Sequence, residues 1–186
     1  MLKLIVAHCK NKGIGKSNML PWHLSSDLKH FKALTVGKNN NSIIMGKNTW
    51  KSLNSNPLPN RKNIIVSTTM SNDNENYIIK RSLQEALAFS NKNNFDETWI
   101  IGGEKLYKYT INTFDINEIH ITEILEDFDC DTFFPELPSN YSAESVTQWR
   151  NENNISYRQI IYKNKVKSGD FMYNILPNYA ENNMWK

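Results

Sequence analysis

The chain has 186 residues and 39% hydrophobic content, which is enough for one domain with a sizeable core and too little for two. Its net charge of +3 is spread along the chain, which argues against a nucleic-acid partner and weakly favours anionic small molecules. No stretch approaches the roughly 18 apolar residues of a membrane span, so we expect no membrane partner. Cys9 and Cys130 form neither a CxxC metal pair nor a disulfide framework, which favours a reducing, cytoplasmic location.

The chain begins with a predicted strand and a polar loop. Leu2–Ala7 is an almost continuous apolar run, which is typical of a central strand buried on both faces. Gly13 and Gly15 resemble the start of a dinucleotide-binding fingerprint, but the third glycine is missing and no helix follows, so we reject that motif. The polar run from Asn11 to Met19 is interpreted instead as a mobile lid.

The next element is a helix with one carboxylate, Asp27, in its first turn. Ser25 or Ser26 can supply the N-cap oxygen, and a first-turn acid complements the helix dipole, so Asp27 can be a simple capping charge. An apolar stripe at helical spacing runs beside it, however, and consists of Leu24, Leu28, Phe31 and Leu34. An acid at the edge of an aromatic-lined pocket suits binding and protonating a flat polar heterocycle.

Several later positions are candidate anion sites. Gly46 ends the apolar strand Ser42–Met45, and Lys47 flanks the next helix N-terminus, which suits a phosphate. The alternative is a plain turn with a solvated lysine. Arg61 offers a planar fork for a carboxylate, or is an ordinary surface arginine.

Hydroxyls and glycines extend this pattern. The strand that begins at Asn63 ends in the hydroxyl run Ser67–Thr69, which can also take a phosphate. A buried strand, Glu97–Ile101, leads into Gly102-Gly103 and a helix, where backbone amides can approach phosphate oxygens.

The C-terminal half of the chain contains further strands. Alternation over Glu118–Glu123 predicts a strand with Thr122 facing inward. The acids at 126–131 lack the glycine and glutamate of a calcium loop, so we expect no metal site. Ala143–Gln148 and Ser156–Lys163 are predicted to close as a hairpin around a polar turn at 150–154. Strands alternating with helices indicate an α/β domain.

Taken in order, these segments resemble dihydrofolate reductase over residues 2–163. The resemblance is carried by Leu4–Ala7, Ile14–Thr35, Ile43–Trp50, Pro57–Val66, Ile100–Tyr107 and Asp131–Pro135. It implies a single α/β domain, 1–163, with a mostly parallel eight-stranded central sheet, an antiparallel C-terminal hairpin and about four helices. Residues 164–186 would be a C-terminal extension, in which Phe171, Tyr173 and Ile175 alternate as in a strand, although a disordered tail is the default expectation.

The resemblance implies NADPH-dependent reduction of 7,8-dihydrofolate, with hydride going to C6 and a proton to N5 of the pterin. Asp27 would bind the pterin and promote protonation, helped by Thr122, and Trp22 is placed with them in the catalytic group. Arg61 would bind the glutamate tail. The apolar pocket wall would comprise Ile5, Val6, Ala7, Leu20, Leu28, Phe31, Leu53, Leu58 and Ile101. The expected ligands include antifolate inhibitors, and we expect a monomer.

The cofactor site follows from the same resemblance. Lys47, Ser67 and Thr68 would hold the 2′-phosphate of NADPH. The remaining contacts would come from Ala7, Ile14, Gly15, Gly46, Asn48, Thr49, Gly102, Gly103, Glu104, Lys105, Leu106 and Tyr107, with a cis peptide between the two adjacent glycines. Many members of the family have an arginine and a histidine where this chain has Lys47 and Asn48.

Two alternatives remain open from the sequence. The first is another pterin or pyrimidine reductase of the same fold, such as one acting on deaminated riboflavin precursors. Asp27, Phe31 and Arg61 together favour folate over that class. The second is a catalytically idle member that binds nucleotide or polynucleotide, for which the pI near 8.7 is the support.

Overall fold

A large mixed β-sheet with helices packed on its two faces forms the fold of the computed structural model, which describes residues 1–71 and 73–165. The strands are β1 (Leu2–His8), β2 (Gly13–Gly15), β3 (Ser42–Gly46), β4 (Lys62–Val66), β5 (Tyr77–Lys80), β6 (Thr98–Ile100), β7 (Glu118–Ile124), β8 (Thr132–Phe133), β9 (Tyr141–Val146), β10 (Arg150–Glu152) and β11 (Ile155–Asn164). The helices are α1 (Ser25–Val36), α2 (Lys47–Ser52), α3 (Leu83–Lys92) and α4 (Glu104–Thr113).

The main sheet follows a path of eight strands in the order β10-β11-β7-β1-β6-β3-β4-β5, and β9 pairs with the C-terminal half of β11. The six strands from β7 to β5 along this path run parallel, and β11 joins β7 antiparallel. This arrangement confirms the predicted α/β fold with an antiparallel C-terminal hairpin and four helices. A separate two-stranded sheet is formed by β2 and β8.

The C-terminal hairpin differs from the prediction in one detail that matters for the site. The polar segment predicted as a turn is a strand, β10, as far as Glu152, and only Asn153 and Asn154 form the turn. Both asparagines have positive φ angles, 54° and 61°. A two-residue turn of this kind matches the twist of the flanking strands, and asparagine tolerates it. An exposed edge strand needs no alternation of apolar and polar residues. The all-polar sequence of β10 therefore predicts a turn instead of a strand.

The core is built on β1, which has parallel neighbours on both sides. Leu4 and Val6 pack into the cluster that contains Leu83 and Leu106 of α3 and α4. Ile5 packs on the opposite face, in the cluster that includes Trp50 of α2 and borders α1. Because side chains alternate along a strand, each face of this central strand buries a different set of helices.

Ser82 is the N-cap residue of α3. The backbone N–H of Glu85 donates to Ser82 Oγ at 3.1 Å, and the Glu85 carboxylate accepts the N–H of Arg81 at 3.0 Å. Among the residues that the structure describes, no helix is both long and apolar enough to cross a bilayer. The predictions for Phe171, Tyr173 and Ile175 lie outside the described residues.

Candidate active site

The carboxyl ends of the parallel strands form one edge of the sheet, and most of the predicted site residues lie along it. Ala7 in β1 is paired with Thr122 in β7. The N–H of Gly46, at the end of β3, donates to the carbonyl of Gly102 at 2.7 Å. Ligands of open parallel sheets bind outside the carboxyl ends of the strands, so this edge is the candidate active site.

Asp27 and Thr122 are hydrogen-bonded at this edge. Asp27 is the third residue of α1, and Thr122 Oγ1 donates to Asp27 Oδ1 at 2.6 Å. Thr122 is buried, as its predicted inward orientation required. Burial raises the pKa of Asp27, and the hydrogen bond from Thr122 lowers it by less. This carboxyl therefore retains its proton at a higher pH than an exposed aspartate does.

The N-terminus of α1 is capped by another strand. The N-cap residue is Leu24, which has no side-chain acceptor. The carboxylate of Glu152 in β10 accepts the N–H groups of Ser25 at 2.7 Å and Ser26 at 3.1 Å, and also accepts both hydroxyls. Ser26 Oγ is also bonded to Tyr157 Oη at 2.7 Å. The predicted serine N-cap is wrong, because both serines are donors to a carboxylate.

Trp22 closes the site beside α1. It is 7% exposed, and its ring lies 5.3 Å from that of Phe128 between centroids. Within residues 1–71 and 73–165, its indole N–H is the only buried side-chain polar group without a hydrogen-bond partner. A buried donor left unpaired costs about 1–3 kcal/mol, so an acceptor near Trp22 would be favourable.

The residues of the predicted apolar wall lie in different environments. Ile5 belongs to the buried cluster on the α1 side, and the partly buried members packed against that cluster include Phe31, Leu53, Leu58 and Ile101. Val6 packs on the opposite face of the sheet, so its side chain is not part of this wall. Leu20 is 50% exposed and Leu28 is 48% exposed. A ligand that covered these two side chains would be stabilised by burial of their apolar surface.

Arg61 is held at the mouth of this apolar cleft. Its Nε donates to the Pro59 carbonyl at 3.0 Å, and one terminal nitrogen donates to Thr35 Oγ1 at 2.7 Å. The guanidinium carbon lies 5.9 Å from the centroid of the Phe31 ring. Burial lowers the pKa of Arg61, but an arginine stays charged. The contacts orient the guanidinium and leave other N–H groups for a carboxylate.

A pair of glycines brings backbone close to Thr49 and Tyr107. The peptide between Gly102 and Gly103 is cis. A Cβ at Gly102 would lie 3.2 Å from Tyr107 Oη and 3.3 Å from Thr49 Oγ1, and the φ of 125° also favours glycine. Tyr107 is buried, and its hydroxyl donates to the Ile5 carbonyl at 2.8 Å. Burial raises the pKa of Tyr107, which therefore stays a neutral donor.

The other predicted cofactor-binding residues differ in burial and charge. Leu106 is 1% exposed in the core of the opposite face, and Ile14 packs against the same core. The Leu106 side chain is therefore inaccessible to a cofactor, whereas Ile14 is only partly buried. Asn48 is exposed in α2, whereas Glu104 and Lys105 begin α4. The negative charge of Glu104 in the first helical turn opposes a phosphate there.

The hydroxyl beside Lys47 belongs to Thr69, which is part of the predicted hydroxyl run but not of the pair, Ser67 and Thr68, that the resemblance assigns to the 2′-phosphate. Lys47 Nζ donates to Thr69 Oγ1 at 2.7 Å. Ser67 is fully buried, and its Oγ accepts the N–H groups of Thr69 and Met70, both at 3.2 Å. Ser67 therefore stabilises its own turn, which presents Thr69 rather than Ser67 beside the lysine.

Arg81 is a further cation near this turn that the sequence argument missed. One of its terminal nitrogens donates to the carbonyls of Thr68 at 2.7 Å and Met70 at 2.8 Å. The position of Arg81 follows from the parallel pairing of β4 and β5, in which Val66 lies opposite Lys80. Arg81, which follows Lys80, must therefore lie beside the turn that follows Val66.

The predicted lid packs against the acidic loop before β8. Asp131 Oδ2 accepts the N–H of Ser17 at 2.8 Å, and Lys16 forms an ion pair with Asp129. Cys9 and Cys130 are free thiols whose sulfur atoms lie 3.9 Å apart. The acidic run thus positions the loop that borders the cleft.

Comparison with known proteins agrees with this geometry. The family model described as dihydrofolate reductase matches residues 1–164. The chain belongs to the dihydrofolate reductase family. Dihydrofolate reductase from Bacillus subtilis is 36% identical over 176 residues, which cover 92% of this chain and all of that relative.

A solved structure and a longer relative complete the comparison. The structure of dihydrofolate reductase from Enterococcus faecalis, complexed with NADP(H) and RAB-propyl, matches with a TM-score of 0.79 and 30% identity, covering 89% of this chain and 97% of that one. The bifunctional dihydrofolate reductase-thymidylate synthase of Paramecium tetraurelia is 34% identical over 164 residues. That match spans 87% of this chain and 34% of the bifunctional protein.

The contact between Glu152 and α1 predicts an acid-dependent stability. Hydrogen bonds from Ser25 and Ser26 lower the pKa of Glu152 to about 2. A lowered carboxyl pKa stabilises the fold above the unfolded pKa of about 4.3, and this contribution is lost as the pH falls from there towards about 2. Urea unfolding of Glu152→Gln should therefore show lower stability than the parent at pH 7 and a smaller difference at pH 3. Glu75→Gln, at an exposed position, is the control, and an equal deficit at both pH values would contradict the cap.

Proposed function

We propose that this chain catalyses the NADPH-dependent reduction of 7,8-dihydrofolate to 5,6,7,8-tetrahydrofolate. The observation that carries the proposal is the half-buried carboxyl of Asp27, hydrogen-bonded to Thr122 at 2.6 Å beside a half-exposed apolar cleft. Family membership supports the same reaction. The first test is loss of NADPH absorbance when dihydrofolate is added to the purified chain.

Asp27 has two tasks in this reaction. Its carboxylate accepts hydrogen bonds from the 2-amino group and N3 of the pterin, and the hydrogen bond from Thr122 fixes the orientation of the carboxyl group. Burial raises the pKa of Asp27, so a larger protonated fraction persists near neutral pH. The group can therefore promote protonation at N5 under conditions where an exposed aspartate would be fully ionised.

The apolar cleft and Arg61 would bind the two ends of the substrate. Phe31, Leu28 and Ile101 present apolar surface to the pterin and the aromatic linker, and covering them excludes water from the reacting ring. Arg61, already oriented by Pro59 and Thr35, would bind the α-carboxylate of the glutamate tail. This last contact favours folate over pterins without a glutamate.

The residues at the cofactor side fit NADPH. Gly102 and Gly103 allow close backbone approach beside Thr49, and Lys47 with Thr69 offers a cation and a hydroxyl for the 2′-phosphate. When bound, NADPH supplies the hydride. Arg81 adds positive charge near the same turn.

We extend the proposal to the assembly and surroundings of the protein. Each side chain assigned to chemistry comes from one chain, so the enzyme would work as a monomer. Two unbridged thiols 3.9 Å apart suit a reducing, cytoplasmic compartment. Antifolates that mimic the pterin would compete for Asp27.

Replacing Asp27 tests the chemistry directly. Asp27→Asn keeps the shape but removes the proton-linked carboxyl, so kcat/KM at neutral pH should fall by about 10² to 10⁴. The deficit should shrink in acid, where solvent protonates N5 without help. Steady-state assays across pH, with the exposed Asp127→Asn as control, check this. A folded Asp27→Asn enzyme within about threefold of the parent, far below the 10² expected for a lost acid, would contradict the mechanism.

Arg61 should affect binding and leave the chemistry nearly unchanged. Arg61→Leu removes charged hydrogen bonds worth about 1.5–3 kcal/mol, so the Kd for dihydrofolate should rise by roughly ten- to a hundredfold. Binding of a small pteridine without the glutamate should hardly change in the same titration. Equal weakening of both ligands would indicate that Arg61 only supports the fold.

Lys47 should set the cofactor preference. A charge-assisted hydrogen bond to the 2′-phosphate contributes about 1.5–3 kcal/mol, so the parent should prefer NADPH to NADH by roughly tenfold or more. Lys47→Ala should lower the ratio of kcat/KM with NADPH to kcat/KM with NADH. Lys51→Ala, in the last turn of the same helix, should leave this ratio unchanged. Equal use of both cofactors by the parent enzyme would remove the assignment of the phosphate site.

A further inference from the structure

A cavity with a mixed apolar and polar lining lies next to the Asp27–Thr122 pair, between α1 and the antiparallel end of the sheet. Its volume is about 220 Å³. Its polar lining consists of His30, His120, Thr122, Ser145, Thr147 and Gln159. A water molecule occupies about 30 Å³ in the liquid and needs two to four polar partners. The rest of the lining is apolar and consists of Ile5, Ile121, Ile160 and Ile161. The cavity therefore has room for several waters, and its polar side chains can supply their hydrogen-bond partners.

The cavity connects Asp27 with the surface. Thr122, which lines it, donates to Asp27 Oδ1. His30 follows Asp27 by three residues in α1, so the two side chains lie on the same face of the helix. On the far side, Ser145 in β9 is exposed and Gln159 in β11 is half-buried. Polar side chains thus extend from solvent to the hydrogen-bond partner of Asp27.

Both cavity histidines favour the neutral form. Burial is the largest effect on His30 and lowers its pKa, Arg150 lowers it further, and Asp27 raises it. Burial also lowers the pKa of His120, although Glu118 accepts a hydrogen bond from His120 at 3.1 Å and opposes this shift. A neutral imidazole carries one donor and one acceptor, so it can pass a proton along.

The charged groups that face this pair come from every neighbouring element. They are Asp27 on α1, Arg150 and Glu152 on β10, Glu118 on β7 and Lys3 on β1. Arg150 disfavours a positive charge on His30, and Asp27 favours one. Lys3 disfavours a positive charge on His120, and Glu118 favours one. Glu152 acts on Asp27, whose pKa it raises.

We infer that His30 is a positioning residue, which together with His120 and Gln159 orders the cavity water through which Asp27 exchanges its proton with solvent. This inference rests on the proposed reductase function. Substrate in the cleft would cover one side of the Asp27 carboxyl group. The cavity would give water access to its other side. Each turnover places one proton on the substrate, so Asp27, once ionised, regains a proton from cavity water, which regains its own from bulk solvent.

The test is the pH dependence and solvent isotope effect of kcat over repeated turnovers, because Asp27 must regain its proton between them. His30→Phe places an apolar ring at the Asp27 side of the cavity, and the expected result is a loss of about tenfold at pH 8, smaller than the 10² or more typical of losing the acid itself. The solvent deuterium isotope effect should increase, and the Kd for dihydrofolate should stay within about twofold, since no direct ligand contact is lost. His30→Gln, which keeps a polar group, should recover most of the rate.

Controls separate the possible failures. Lys29→Phe adds the same ring at an exposed position of α1 and should behave like the parent. If His30→Phe does not fold, Gln159→Leu removes polarity at another side of the cavity and should give the same loss. A rate, pH profile and isotope effect equal to those of Lys29→Phe would overturn the inference. No turnover of dihydrofolate by the parent enzyme would instead overturn the proposed function.

Discussion

The hydrogen bonds that Glu152 accepts at the start of α1 are the constraint on which the site depends. A helix N-terminus presents unpaired N–H groups, and a nearby aspartate would ordinarily turn towards them. Here Glu152 already accepts the N–H groups of Ser25 and Ser26. Asp27, in the same turn, is therefore free to face Thr122 and the cleft. One carboxylate caps the helix so that the other can remain half-buried with a raised pKa.

The parallel sheet assembles the remaining groups. Its strands end at one edge, which brings together Thr122 of β7, Gly46 of β3 and Gly102 just after β6, although they are distant in sequence. Tyr107 connects this edge to β1 through the Ile5 carbonyl. The antiparallel hairpin then supplies Glu152 on one side and the cavity wall on the other. The groups proposed to bind the substrate, to promote its protonation and to bind the cofactor thus come from separate elements of one sheet.

The parts that the sequence predicted well are those with a local signal. Apolar runs marked the parallel strands, and the spacing of Asp27 and the alternation around Thr122 placed both residues correctly. Glu152 was missed because its partners, Ser25 and Ser26, are joined to it only by tertiary structure. Ser67 and Thr69 are both hydroxyls in one turn, and only the backbone path decides that Ser67 is buried and Thr69 faces Lys47.

The bond between Ser25 and Glu152 joins residues 127 positions apart. Contacts of such long range close large loops and form late, because the entropy of loop closure precedes any gain from the contact. During synthesis, α1 leaves the ribosome long before the strand that caps it. The start of α1, and with it the orientation of Asp27, is therefore expected to be among the last features established as the nascent chain folds.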